Sequence, residues 1–193
     1  MGSDNKGWQL TGNIPPFVSK AMEKVALDSL VSIGTARMDN VKKSRETAVK
    51  RAGSELKRKG TSIIEMIFAD YAASFKDSND IARLIPLREK IIIGFNKFGL
   101  LSSVVVEEDT DANNAVWCVL IISKENLIKV LSKIASSRNE SAAEFLTVKP
   151  EARDEANAKL FEKIFTAESI NNSIAYLNAG KIWPVDEDDE DIE

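Results

Sequence analysis

Five basic side chains carry the spacing most suited to chemistry in this chain. Lys43, Lys50, Arg51, Lys57 and Arg58 recur so that, on a helix turning 100° per residue, they fall opposite an apolar stripe. Residues 41 to 60 hold eight Lys or Arg against two Glu. Such a ridge is a candidate anion-binding surface for anionic lipid, polysaccharide or nucleic acid, because clustered ammonium and guanidinium groups attract phosphate and carboxylate. The plainer account is a solvated helix face, which is routinely charged. No aromatic side chains interleave with the ridge to stack on bases, and the net charge is −4, so nucleic acid is not expected.

Catalytic chemistry has few candidates. The chain contains no histidine, which removes every His-dependent triad, dyad and imidazole metal site. Cys118 lies within Val116-Trp-Cys-Val-Leu-Ile-Ile122, a continuous apolar run with no basic neighbour to favour a thiolate. It reads as a buried structural thiol. Glu107, Glu108, Asp109 and Asp111 bring carboxylates together, yet without the alternating Asp pattern, glycine and closing Glu of a calcium loop. A solvated turn is the simpler account. A hydrolase built from carboxylates alone would need a defined separation across a cleft. Gly34, before a capped helix, has no second glycine or Gly-Lys-Ser/Thr to make a phosphate loop. No catalytic, cofactor-binding or metal-binding residues are expected.

The elements that must position these residues follow from periodicity. Pro15-Pro16-Phe17-Val18 reads as an extended lead-in, and 19 to 29 as a short helix. Leu30 to Ala36 is a strand pattern. Asp39 and Asn40 offer an N-cap to a long helix from Val41 towards Phe75, whose core stripe is Ala48, Ala52, Leu56, Ile63 and Ile67. Gly60 is the expected place for a bend. A second helix, Ile81 to Phe98, contains Pro86 and meets a C-cap at Gly99. Two strands, Leu100 to Glu107 and Ala115 to Ile122, flank an Asx-rich loop, and Ser123 caps a helix through Ile134. Further helices are expected from Pro150 and over Ser169 to Leu177. Residues 186 to 191 read as an acidic tail, expected to be disordered.

These elements predict an α+β fold. A small antiparallel sheet of about three strands packs against a long amphipathic helix and further helices. Residues 13–137 form the α+β domain, 138–182 a C-terminal helical extension, and 183–193 the tail. No apolar run reaches the roughly 18 residues that span a bilayer.

The run from Val31 to Ala48, continuing through Lys50-Arg-Ala52, Glu55-Leu56 and Asp70-Tyr71-Ala72, resembles the bacterial twenty-kilodalton surface-lipoprotein family, which includes lipoproteins of the flagellar basal disc. In that family a strand of the type Val-Gly-x-Gly/Ala precedes a long Ala- and Arg-containing helix. A two-stranded hairpin and another helix follow. Trp117-Cys-Val-Leu-Ile-Ile-Ser123 takes the second-strand place, with Trp where the family usually has Tyr. The chain departs from the pattern in lacking a lipobox cysteine and in the basicity of Lys57-Arg58-Lys59.

The resemblance implies a non-enzymatic envelope protein in the periplasm or at the outer membrane, with no catalytic residues to carry over. It implies a lipid-anchored precursor that assembles with itself or with other envelope proteins. Met1-Gly-Ser reads as an added leader, so the anchor cysteine would precede residue 4. The alternative is a binding module for a small ligand or an anionic envelope polymer, using the ridge.

Overall fold

A computed structural model describes residues 14–74, 78–137 and 154–180. The side chains of residues 78–81 are not described. The elements in chain order are α1 (Pro16–Val25), β1 (Ser29–Ala36), α2 (Val41–Ser74), α3 (Ser78–Phe98), a 3-10 turn (Gly99–Ser102), β2 (Val104–Thr110), β3 (Val116–Ser123), α4 (Lys124–Ser136), α5 (Glu155–Ile164) and α6 (Ala167–Asn178). This is the expected α+β architecture, with the long helix laid across a three-stranded antiparallel sheet.

The strand order is β1-β3-β2, with β3 antiparallel to both neighbours. Alternation along the strands serves both faces. Leu30 and Ala36 of β1, with Cys118, Leu120 and Ile122 of β3, enter the main core beneath α2. Val31 of β1 and Trp117 and Val119 of β3 turn the other way, onto Val18 and Ala21 of α1. The middle strand is therefore apolar throughout, as expected of a strand covered on both faces.

Ala48, Ala52, Leu56, Ile63 and Ile67 are all buried, which bears out the stripe read from 3.6-residue periodicity. Asn40 caps α2, its Oδ1 accepting from the backbone N–H of Lys42 at 2.8 Å and of Lys43 at 3.4 Å. Gly34 lies where the strand meets this helix. A Cβ there would collide with the Ala48 carbonyl oxygen and stand 2.5 Å from the Ala52 nitrogen. The missing side chain sets the approach of α2 to β1. Ser32 Oγ donates to the Ala52 carbonyl at 2.8 Å in the same interface.

Several boundaries differ from expectation for identifiable reasons. Pro16 occupies the first turn of α1, where its missing N–H costs nothing, so the extended lead-in is helical from that point. The helix α2 continues through Gly60. That glycine makes room for the Phe95 ring of α3, against which a Cβ would collide. Gly99 opens a 3-10 turn instead of capping α3 in a left-handed conformation, and it too lies under Phe95. The turn consumes residues 99–102, so β2 begins at Val104, not at Leu100.

Asp154 is the N-cap of α5, accepting from the Asn157 N–H at 3.0 Å, and the described helix starts at Glu155. The expected start at Pro150 and the acidic tail lie outside the described residues. Thr166 caps α6 two residues earlier than periodicity indicates. Leu160, Phe161, Phe165, Ile170, Ile174 and Leu177 from the two C-terminal helices share the main core with α2 and the sheet. Phe165 stacks on Phe161 and meets Phe68 of α2 edge-on.

Candidate functional site

The ridge is not one surface. Arg51 turns back over the sheet, its Nη1 donating to the Thr35 carbonyl at 2.6 Å. Arg58 forms a two-pronged pair with Glu55, at 2.8 and 2.7 Å. This pair, led by the hydrogen bond to Glu55, raises the guanidinium pKa above its ordinary value. Lys43 is exposed near the first turn of α2. Lys50 and Lys57 alone come together at a concave feature. They line a groove of about 470 Å³ with Val49, Gly53, Leu100, Val105 and Leu120.

This groove separates α2 from the β2 side of the sheet, with Ser54 and Ser103 also on its lining. Its construction follows from α2 lying nearer to β1 and β3 than to β2. Gly53 brings the helix backbone close to Leu100, which a Cβ would meet at 3.1 Å. Sequence periodicity identified Lys50 and Lys57. It held no signal that the segment around Ser103 would face them.

The groove opens onto an unfinished sheet edge. Val104, Val105 and Val106 are 56, 41 and 37% exposed, and Leu101 beside them is 66% exposed. Residue pairing slips between Val105 and Glu107, so Val106 is an extra residue in the ladder. Glu108 then pairs with Arg45 of α2.

The opposite edge is sealed. Asn178 Oδ1 accepts from the Val31 N–H at 3.2 Å, and its Nδ2 donates to the Ser29 and Ala26 carbonyls at 2.7 and 2.9 Å. Lys59 Nζ donates to the Val31 carbonyl at 2.7 Å. Burial lowers the Lys59 pKa below its ordinary value, with Glu55 partly opposing the shift. Lys59, which the ridge reading left out, is therefore a strand-edge cap. Its place in the sequence, the last of three consecutive basic residues before Gly60, gave no cue to that role.

Of the four clustered acidic residues, Glu107, Glu108 and Asp109 lie within β2, and Asp111 is occupied by the hairpin turn. Asp111 Oδ1 accepts from the Asn113 and Ala115 N–H groups, and Oδ2 accepts from Trp117 Nε1 at 2.8 Å. These bonds, the Trp117 one foremost, hold its carboxyl below the ordinary range. Among the described residues no cluster of three or more His, Cys, Asp or Glu is placed to hold a metal ion. Cys118 is fully buried, and burial, with a contribution from Glu108, pushes its thiol up to about 11. A protonated, inaccessible thiol is no nucleophile at neutral pH.

A second cavity, of about 380 Å³, lies between α3 and the start of α5. Two of its polar side chains, Lys90 and Asp154, already serve the fold. Lys90 donates to the Ala135 carbonyl at 3.1 Å and to that of Ser137, while Asp154 caps α5. Among the described residues no helix is long and apolar enough to cross a membrane. Comparisons with protein-family models, curated proteins and solved structures give no match.

Proposed function

We propose that this protein is a non-enzymatic domain that works by protein–protein assembly, with the open β2 edge as its contact surface. The observation that carries the reading is the asymmetry of the sheet. One edge is closed by Asn178 and Lys59, whereas the other ends in exposed valines and makes no outward backbone hydrogen bond among the described residues. Such an edge is a template for another strand. The buried Cys118 and the absence of histidine from the sequence support a role without thiol- or His-dependent catalysis.

We place this assembly in the bacterial envelope, on a lipid-anchored precursor in the periplasm or at the outer membrane. That part of the proposal is supported by the resemblance of residues 31–72 to the surface lipoproteins. Fractionating cells that express the full gene, followed by crosslinking, tests both parts. The expected product is a lipid-modified protein in the membrane fraction, crosslinked to itself or to an envelope protein. An unmodified protein that remains uncrosslinked in the soluble fraction would contradict the reading.

The groove favours one other reading, a binding module for an amphipathic or polymeric anion. Lys50 and Lys57 stand beside an apolar lining of Val49, Leu100, Val105 and Leu120. In this reading anionic liposomes retain the protein at low salt and lose it as the Debye length falls from about 10 Å at 0.1 M to about 3 Å at 1 M. Replacing Lys43, Lys50, Arg51, Lys57 and Arg58 with Gln would remove the retention. Absence of retention by the unaltered protein sinks this reading.

A further inference from the structure

We infer that the partner at the β2 edge is a second copy of this chain, added antiparallel about a two-fold axis to make a continuous six-stranded sheet. This inference rests on the assembly reading and names its partner.

The backbone directions set the register. In an antiparallel ladder each residue points both its N–H and its C=O to the same side, and successive residues alternate. The Val31 groups point away from β3, because Asn178 and Lys59 take them. Its pairing partner Ile121 therefore directs its groups to β2, where it faces Val104. Val105, opposite Leu120, must then point outward. Glu107 faces Val119, which has the parity of Ile121 and is bonded inward, so Glu108 points outward.

The bulge at Val106 thus changes the spacing of outward residues from two to three. Val105 and Glu108 become the free hydrogen-bonding positions of the edge. A two-fold axis between residues 106 and 107 sets Val105 of each copy against Glu108 of the other. Both N–H and C=O groups of the pair are then satisfied, and the pair forms twice, once on each side of the axis. Bulges more often protect an edge. Here the widened spacing still allows a symmetric register with paired groups on both sides of the axis.

Charge selects the occupant. Val105 lies in the groove beside Lys50 and Lys57, and Glu108 shares that face of the sheet opposite Cys118, so the Glu108 carboxylate of one copy meets the basic groove of the other. On the α2 face the edge is basic and apolar at Val105 and acidic at Glu108. Antiparallel self-pairing matches each half to its opposite, the self-complementarity that an isologous contact requires. An anionic membrane would be attracted by the lysines but repelled by three carboxylates in the same strand. No proline or lysine interrupts residues 104–110 to blunt the edge.

Sedimentation velocity on the full chain, from micromolar to near-millimolar concentration, tests this. The unaltered protein is expected to pass from monomer to dimer. Val105→Pro removes an outward N–H and should leave a monomer, with circular dichroism confirming that it folds. Lys50→Glu with Lys57→Glu should weaken the dimer by about tenfold, as should Glu108→Lys, since each substituted contact occurs twice. Combining all three should restore affinity, an outcome a misfolded variant cannot give.

A dimer unaffected by Val105→Pro and by both charge reversals would overturn the β2 register while leaving assembly through another surface intact. A chain that stays monomeric throughout would overturn the second copy as partner. The crosslinking experiment in cells then decides the assembly reading separately.

Discussion

A methyl group on Gly34 has nowhere to go, because the backbone of α2 at Ala48 and Ala52 occupies its place. Backbone cannot swing aside as a side chain can, so the helix must lift from the strand. Gly34→Ala should cost about 2 kcal/mol, which in a chain of this size lowers the melting temperature by roughly 4–8 °C. An unchanged thermal melt would show that α2 rides higher on the sheet. Gly34 was legible in the sequence as a glycine inside a strand pattern before a long helix. Gly99 was not, because its neighbour Phe95 acts through space across a turn whose geometry periodicity does not reveal.

Lys59 makes a pH prediction at the same scale. Burial lowers its pKa from the ordinary 10.5, so the unfolded chain holds the proton more tightly. The stability linked to this group is fully present above 10.5 and is lost as pH falls through the lower folded value. Urea unfolding should therefore show the unaltered protein gaining stability relative to Lys59→Met as pH rises towards 10.5. A difference that is flat or falls with pH would contradict the burial of the charge.

Among the elements, what periodicity could read was each helix's inward face. Ala48 to Ile67 on α2 and the Ser123 cap of α4, which accepts from Asn126 N–H at 3.3 Å, follow from local spacing and local hydrogen bonding. Relations between distant elements were silent. Asn178 closes β1 from the last turn of α6, 147 residues from Val31, and nothing near either residue announces the contact. Asn178→Ala leaves the Val31 N–H without its acceptor and the Ser29 carbonyl without its donor. Chemical denaturation should show a loss of about 2 kcal/mol, the scale of unpaired buried polar groups. A loss near zero would mean that water replaces the side chain and that the β1 edge is less sealed than its geometry indicates.

At the scale of the whole molecule, the C-terminal helices complete the core beneath α2 and close one sheet edge, leaving β2 as the other. The α+β class was legible because strand and helix patterns alternate clearly along the chain. The groove and the open edge were not, since both arise where β2, α2 and the residues around Ser103 meet. The central claim is that β2 is where the molecule continues into a partner. Amide hydrogen exchange at low and high protein concentration addresses it most directly. The account predicts that protection within residues 104–110 rises with concentration while protection in β1 stays constant. Exchange in β2 that is independent of concentration, while another element gains protection, would contradict it.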